Sequence, residues 1–365
     1  MRDGAASSAS PRERVEALLA LARRLADPND ALGQDARRRL VEAGDLSPEG
    51  IELALTEHLE THATAESLRA LVASARPCRQ VAIVLSANVC TAAVRALALG
   101  LAGSDMIVVK PSRRDAVLAE RLAGALPWAR LVTTTDEALD ALEPGDELHV
   151  YGSDATIDAL ERPAAARGAR LRAHGTGFGV ALVEDEDDLG LAADDLARDL
   201  VPFDGRGCLS PRLALVDGSP ARARAFAAAL HVALSLRGER VPRGPLGDAE
   251  RSTLALHRRS LELVGEVFEG PHHLIGLDPA PLAASPAPAH RALTVYPATE
   301  GSAARLLAGL ARYVTTLGAG SEGRLVRAVG PLVPAARRAR LGEMQRPPLD
   351  GPVDRRERAP RSPVG

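Results

Sequence analysis

The sequence predicts an α/β protein in which a helical N-terminal segment precedes two α/β units. Between residues 76 and 345, short apolar, β-branched runs alternate with stretches rich in alanine and leucine. This alternation is typical of parallel strands joined by crossover helices. Before it, residues 1–75 carry apolar side chains three and four positions apart, which indicates amphipathic helices.

The composition is that of a globular protein and argues against several classes of function. Hydrophobic residues make up 46% of the chain and charged residues 25%, which allows a sizeable core. The net charge of −3 is spread over interspersed acidic and basic side chains, which argues against a nucleic-acid partner. We find no apolar run of about 18 residues, no signal-peptide pattern and too few cysteines for a disulfide framework. We therefore expect a cytoplasmic protein without a membrane span.

The helical segment, residues 1–75, is predicted to contain three helices. The first follows an apolar stripe between Pro11 and Ala43. The second begins at Ser47 and Pro48, where a hydroxyl N-cap is followed by proline at the first helical position. The third is expected at Glu66–Ala75.

The first α/β unit, residues 76–175, is predicted from four apolar runs and the helices between them. Its strands are expected at Gln80–Leu85, Met106–Lys110, Arg130–Thr133 and Glu147–Tyr151. Its helices are expected at Thr91–Leu101, Ala116–Leu126 and Glu137–Leu142, and from about Asp154 onward. Because ligands of parallel sheets bind at the carboxyl ends of the strands, polar residues just after these strands are candidates for a binding site.

The second α/β unit is expected at residues 176–345. Its strands are predicted at Val180–Val183, Leu213–Val216, Arg291–Tyr296 and Arg312–Leu317, and its helices at Pro220–Leu236 and Ala303–Leu310. The arginine-rich residues 337–340 are interpreted as a solvated helix face. Residues 346–365, rich in proline and arginine, are expected to form a disordered tail.

Cys208 is the candidate nucleophile of the second unit. It lies in the glycine-rich stretch Gly205–Ser210, just before a predicted strand. Glycines permit unusual backbone angles and the close approach of a ligand, so the thiol can be presented to a carbonyl that it attacks. A buried structural cysteine is the alternative interpretation. Gly177 lies in a second glycine-rich turn, which leads into a strand and is therefore interpreted as a close-approach loop rather than a P-loop.

Polar positions follow three strands of the first unit. Asn88 lies just beyond the first strand, where its amide could donate to a developing oxyanion; an ordinary turn asparagine is the alternative. Lys110 and Ser112 lie at the end of the second strand, where an ammonium can reach ribose hydroxyls or a phosphate; a solvated lysine at a strand end is the alternative. Gly152 and Ser153 open a helix whose N-terminus suits a pyrophosphate, and a plain serine cap is equally compatible with them.

Two histidine pairs are interpreted as surface features rather than metal ligands. His58 and His62 are four positions apart on a predicted helix, but no third ligand is identifiable. His272 and His273 lie in a loop-rich stretch. We therefore expect no metal site.

Seven segments follow one another along residues 47–350. They are SANVCTAAVRALALGLAGSDMIVVKPS, YGSDATI, HGTGFGVALV, DGRGCLSPRLALV, RALTVYPA, YVTTLGAG and LGEMQRPPLD. In this order they resemble the aldehyde dehydrogenase superfamily and, more closely, its acyl-CoA reductase branch, which is best known from bacterial luminescence operons. The resemblance implies an aldehyde dehydrogenase-like fold, with a Rossmann-type nucleotide-binding domain at residues 76–175 and an α/β catalytic domain at 176–345.

The resemblance also implies roles for individual residues. Cys208 would be acylated, and Asn88 would hold the oxyanion together with the Cys208 backbone N–H. Lys110 would contact the adenosine side of a nucleotide, and Gly152 and Ser153 would lie by its pyrophosphate. The cofactor-binding residues expected in this way are Lys110, Ser112, Gly152, Ser153 and Gly177.

The activity that the resemblance implies is reduction of a fatty acyl-CoA or acyl-protein thioester to the aldehyde, with hydride from NADPH or, as the other option, NADH. It also implies a homo-oligomer and an acyl-transferase or synthetase partner. Hydrolytic aldehyde dehydrogenases carry a water-activating glutamate where this chain places His174, and its loss agrees with reduction. Two alternatives stay open: another dehydrogenase on this fold, such as a semialdehyde dehydrogenase, and a non-catalytic nucleotide-binding subunit.

Overall fold

The computed structural model describes residues 9–357 and divides the chain into two compact units. The first unit comprises the chain up to Arg39, Leu55–Gly175 and Pro348–Pro352. The second comprises Leu40–Ala54, Thr176–Pro347 and, from Val353, the end of the described chain. Each unit contains one sheet built mainly of parallel strands, and helices precede the first strand. The predicted α/β fold class with its helical N-terminal segment is confirmed.

Over the described part of the N-terminal segment, residues 9–75, four helices form rather than three. They are α1 (Pro11–Ala26), α2 (Ala31–Ala43), α3 (Pro48–Glu57) and α4 (Ala65–Ser74). The single helix predicted over α1 and α2 is corrected to two, because Pro28 interrupts it and the Asp27 carboxylate accepts from Asn29 N at 2.8 Å in a turn. Since α3 ends before His58 and His62, these histidines do not share a helix face as predicted.

The sheet of the first unit has five parallel strands in the order β3-β2-β1-β4-β5. The strands are β1 (Val81–Val84), β2 (Ile107–Lys110), β3 (Ala129–Leu131), β4 (Glu147–Tyr151) and β5 (Arg170–His174). The helices are α5 (Ala92–Gly103), α6 (Val117–Ala125), α7 (Thr135–Asp140) and α8 (Asp154–Ala166). The edge strand β5 was not predicted, because its charged side chains break the apolar pattern of a buried strand.

Close packing of α5 on the central strands builds the core of the first unit. Almost every residue of α5 is buried. A Cβ on Gly100 would lie 2.8 Å from Ile83 Cδ1, so glycine lets the helix approach β1 at this point. Val108, Leu148 and Val150 fill the other face of the sheet. The strand ends are thereby held at fixed positions along one sheet edge.

The second unit contains a seven-stranded sheet in the order β12-β11-β6-β7-β10-β9-β8, in which only the β8–β9 pair is antiparallel. The strands are β6 (Phe178–Val183), β7 (Pro211–Asp217), β8 (Glu266–Gly270), β9 (His273–Leu277), β10 (Ala292–Ala298), β11 (Val314–Ala319) and β12 (Arg337–Arg340). The helices are α9 (Leu189–Leu200), α10 (Pro220–Arg240), α11 (Asp248–Val264), α12 (Glu300–Ala308) and α13 (Arg324–Val329). Alternate residues of β6 and β7 enter two separate apolar clusters, so both faces of the sheet are covered.

Two predictions for the second unit are corrected. Residues 337–340 form the edge strand β12, which pairs with β11, rather than a helix face. An edge strand can expose alternate charged side chains to water, which explains why its arginines resembled a solvated helix. His273 is buried at the start of β9, and its Nε2 lies 2.9 Å from His231 Nδ1. Pairing with a second imidazole explains how this predicted surface histidine is accommodated inside.

The tail predicted to be disordered is corrected over residues 346–357, and residues 358–365 lie outside the described residues. Leu349 is buried. The carbonyls of Pro348 and Gly351 accept from Arg95 Nη1 at 3.0 and 3.1 Å. A buried guanidinium therefore satisfies backbone groups that the composition of this segment alone would leave to water.

Candidate active site

The carboxyl edge of the five-stranded sheet brings together the residues predicted in the first unit. Strands β2, β1 and β4 are adjacent and parallel, so their carboxyl ends share one edge. Lys110 ends β2, Asn88 follows β1, and Gly152 and Ser153 follow β4. Ligands of open parallel sheets bind at this edge, so the placement suits a common ligand.

The two serines at this edge are engaged in local bonds. Ser153 Oγ caps α8 by accepting from Thr156 N at 3.2 Å, so the plain serine cap considered for it is present. Ser112 Oγ accepts from Arg114 N, also at 3.2 Å. Both bonds fix the loop backbones next to the strand ends. The cofactor contacts predicted for these serines stay predictions.

Lys110 and Asn88 adjoin residues that line a small cavity: Leu85 N donates to Lys110 O at 3.0 Å, and Val89 follows Asn88 in the chain. The cavity is lined by residues after β1, including Cys90, and by Tyr151. Asn88 is exposed, and Lys110 is half-buried. Burial, and then the charge of the nearby Arg113, lower the pKa of the Lys110 ammonium. A compact anion that paired with the ammonium would offset both its burial and its repulsion by Arg113.

His174 ends β5 inside an aromatic stack. Its ring lies 4.2 Å from the Tyr151 ring, with an angle of 11° between the planes. The His149 ring meets it edge-on at 6.5 Å between centroids. His174 is buried in this stack, so packing within the first unit accounts for its position.

Cys208 lies in a tight turn that precedes β7. Ser210 N donates to Gly207 O at 3.1 Å, so Cys208 and Leu209 are the two central residues of the turn. Cys208 is half-buried, whereas Cys90 is buried. As a residue, Cys208 is therefore not fully buried, whereas the alternative interpretation was a buried structural cysteine.

The backbone that enters the turn adopts left-handed conformations. Phe203 and Asp204 have φ values of 53° and 52°. Such conformations of residues other than glycine cost free energy and persist only where the surroundings enforce them. The enforcement comes from Asp204, whose Oδ1 accepts from Arg291 Nη2 at 2.7 Å and whose Oδ2 accepts from Gly244 N at 3.0 Å. Burial lowers the pKa of the Arg291 guanidinium, and the Asp204 carboxylate opposes this effect.

Thr315 on β11 holds the turn at the Cys208 carbonyl. Its hydroxyl donates to Cys208 O and lies 3.1 Å from Phe178 O. A Cβ on Gly177 would collide with the Thr315 methyl group and lie 2.9 Å from Arg356 Nη2. Packing within the second unit therefore requires glycine at position 177. A contact of Gly177 with a cofactor stays a prediction.

Two further residues support the turn: the Gln345 side-chain amide donates to Ser210 Oγ and to Asp199 O, both at 3.0 Å. Neither these two residues nor Thr315 were predicted from the sequence. Thr315 and Gln345 lie in the segments YVTTLGAG and LGEMQRPPLD, which carried the family resemblance, so their segments were marked although their roles were not. Asp199 lies in α9, a helix that was not predicted.

Neither a metal cluster nor a membrane helix is found within residues 9–357. No three His, Cys, Asp or Glu side chains in this range are placed so that they could hold a metal ion. No helix in it combines the length and apolar character needed to cross a bilayer.

The sequence model of the acyl-CoA reductase (LuxC) family matches residues 46–346. This chain belongs to the acyl-CoA reductase (LuxC) family. The match confirms the resemblance and spans both the carboxyl edge of the first sheet and the Cys208 turn. No curated protein matches the chain.

Solved structures share the fold of this LuxC-family protein. An oxidoreductase from Marinobacter aquaeolei is 13% identical with a TM-score of 0.69, over 96% of this chain and 84% of that one. An aldehyde dehydrogenase from Mycobacterium tuberculosis, complexed with NAD+, is 18% identical with a TM-score of 0.68, over 93% and 79%. A propionaldehyde dehydrogenase from Clostridium phytofermentans is 13% identical with a TM-score of 0.64, over 92% and 85%. At these identities the similarity establishes the aldehyde dehydrogenase-like fold.

Proposed function

We propose that this protein reduces a fatty acyl thioester to the aldehyde, with Cys208 as the nucleophile and NADPH as the hydride donor. The observation that carries the proposal is the family match over residues 46–346, which includes a half-buried cysteine at the centre of a turn. The acyl donor is a fatty acyl-CoA, or an acyl-protein supplied by a transferase or synthetase partner. A homo-oligomer in the cytoplasm remains our expectation.

Acylation is assigned to the Cys208 turn. The Cys208 thiolate attacks the carbonyl carbon of the acyl thioester, because the thiolate is the reactive form of cysteine. The bond from Sγ to the acyl carbon forms, the bond to the CoA sulfur breaks, and CoA leaves as a thiolate that takes up a proton. The Cys208 backbone N–H donates to the oxyanion, and Asn88 is the second donor that the family resemblance implies. Removal of one such donor costs about 3–4 kcal/mol in other enzymes.

Reduction requires a nicotinamide cofactor, for which Lys110, Ser112, Gly152, Ser153 and Gly177 are the proposed contacts. The residues of the first unit fit a dinucleotide, because a cation, three strand ends and the N-terminus of α8 lie at one sheet edge. When bound, a reduced nicotinamide would supply a hydride to the acyl carbon. Cys208 Sγ would be the group that leaves this carbon, as a thiolate, when the aldehyde is released. The NAD+ complex of a structural relative supports a cofactor of this type.

The acyl-enzyme can be reduced only if water does not hydrolyse its thioester first. The resemblance places His174 where hydrolytic relatives carry a glutamate, and the His174 ring is stacked on Tyr151. An imidazole in this stack offers no carboxylate that could activate water for attack on the thioester. This position therefore supports reduction over aldehyde oxidation.

The proposal is tested by NADPH oxidation with acyl-CoA substrates of increasing chain length. We expect wild-type enzyme to turn over and Cys208→Ala to lose turnover, because no sulfur remains to carry the acyl group. Cys78→Ala is the matched control, since Cys78 is also half-buried but its thiol donates to Gln80 O at 3.2 Å in the first unit. Full turnover by Cys208→Ala would contradict the proposal. Activity confined to short aldehydes or acyl phosphates would indicate another dehydrogenase on the same fold.

A further inference from the structure

Gln345 connects the C-terminal part of the chain to the turn that carries Cys208. Its side-chain amide nitrogen donates to Ser210 Oγ and to Asp199 O, both at 3.0 Å. The two N–H groups of the amide are therefore both used. Gln345 and Ser210 are buried, so water does not compete for the bond between them. Ser210 is the last residue of the Cys208 turn.

Asp199 fixes the backbone from which Gln345 projects. Its carboxylate accepts from Gly342 N at 2.6 Å and from Met344 N at 2.8 Å. Asp199 is fully buried, so water does not compete for these two bonds. The backbone of residues 342–344 is consequently anchored to α9, and the Gln345 amide has little freedom to follow a displaced turn.

Packing against Gly179 also holds the turn. A Cβ on Gly179 would lie 2.5 Å from Leu209 O and 2.6 Å from Met344 Cε. Gly179 N also donates to Ser210 O at 2.8 Å. These contacts limit how far the turn can shift. Rotation of the turn about them is opposed by the directional bond from Gln345 to Ser210.

We propose that Gln345 is a positioning residue for Cys208: by donating to Ser210, it orients the turn so that the thiol meets the acyl carbonyl. The inference rests on the proposed role of Cys208 as the nucleophile. Small errors in the placement of a reacting atom lower rates strongly. Thr315 holds the same turn at the Cys208 carbonyl, so loss of the Gln345 bond slows the reaction and does not abolish it.

The test uses Gln345→Leu, Ser210→Ala and the double variant in the full-length protein. The readouts are the single-turnover rate of Cys208 acylation by a long-chain acyl-CoA, the rate of Cys208 alkylation by iodoacetamide, and KM for NADPH. We expect each single variant to lower both rates about tenfold, in line with the loss of one buried hydrogen bond, with KM for NADPH unchanged. The double variant should be no slower than Gln345→Leu alone, because both substitutions remove the bond between Gln345 and Ser210.

Two controls separate orientation from general damage. Glu343→Gln changes an exposed side chain of the same segment. Ser235→Ala removes a serine hydroxyl that donates to His231 O at 2.9 Å within α10. Both should keep wild-type acylation rates. If Gln345→Leu does not fold, Ser210→Ala decides, since it removes a single hydroxyl group.

Wild-type acylation rates in a folded Gln345→Leu or Ser210→Ala variant would overturn the inference. So would a double variant whose loss is the product of the two single losses. Failure of the proposed function is distinguishable, because it would appear as full turnover by Cys208→Ala. An inactive Cys208→Ala together with an unimpaired Gln345→Leu would overturn the positioning role alone.

Discussion

The carboxyl edge of the five-stranded sheet and the Cys208 turn are built in opposite ways. At the carboxyl edge of the sheet, the position of Lys110 is set by β2, of which it is the last residue. Ser153 is held by a bond to Thr156, three residues along the chain. The Cys208 turn depends on Thr315 and Gln345, which lie far along the chain. A binding edge can thus be assembled from strand order alone, whereas a positioned nucleophile needs support from several distant segments.

The largest loss of stability is expected from breaking the ion pair that leads into the turn. Arg291 and Asp204 are almost completely buried, with side-chain exposures of 1% and 3%. Asp204→Asn leaves the guanidinium buried without a counter-charge and should lower the free energy of unfolding by about 3–5 kcal/mol. Urea denaturation monitored by circular dichroism measures this change.

An exposed ion pair in the same unit is the matched control for that prediction. Asp185 pairs with Arg324 at 3.4 Å, with exposures of 60% and 52%. Asp185→Asn should change the free energy of unfolding by less than about 1 kcal/mol. Equal small effects of the two substitutions would show that the buried pair does not hold the entry to the turn.

The pH dependence of the unfolding free energy should report on Asp199, which anchors the backbone next to Gln345. Burial raises the pKa of Asp199 to about 7, while an unfolded aspartate titrates near about 3.9. The folded state therefore binds the proton more tightly, and the contribution of this group is greatest below about pH 4 and is lost as the pH rises to about 7. Asp199→Asn cannot titrate, so its unfolding free energy should fall less steeply between these values. The unfolding free energy is measured by urea denaturation at each pH. If that of Asp199→Asn fell with pH as steeply as that of the wild type, titration of Asp199 would not be the cause.

The smallest effect is expected from a substitution at the carboxyl edge of the five-stranded sheet, which should weaken cofactor binding alone. Lys110→Met removes a half-buried ammonium and should weaken NADPH binding about tenfold, which corresponds to ~1.4 kcal/mol. Cys208 acylation should keep its wild-type rate. Fluorescence titration and single-turnover acylation separate the two. Arg130→Met, which removes an exposed cation from the edge strand β3, is the control, and equal weakening by both variants would argue against a specific role of Lys110.

The difference between strand ends set by local sequence and a turn held by distant segments also explains how much of the molecule could be predicted from its sequence. Buried strands such as Met106–Lys110 were predictable, because burial on both faces produces an uninterrupted apolar run. The edge strands β5 and β12 were not, since arginines occupy their exposed positions. Asn88, Lys110 and Cys208 were predictable as candidates, because each lies beside the end or the start of a strand.

The supports of the nucleophile could not be predicted, because they arise only in the folded chain. No local pattern shows that the Asp199 carboxylate accepts from the backbone of residues 342 and 344. Nor does any pattern show that Gln345 donates to Ser210. The family resemblance marked the segments that contain Thr315 and Gln345 without assigning a task to either residue.

The most direct test of the central claim is mass spectrometry of the enzyme mixed with a long-chain acyl-CoA in the absence of NADPH. We predict one acyl group per chain, carried by the peptide that contains Cys208, and its release as aldehyde when NADPH is added. Cys208→Ala should acquire no acyl group. An acyl group on a different residue, or aldehyde formation by Cys208→Ala, would contradict the assignment of Cys208 as the nucleophile.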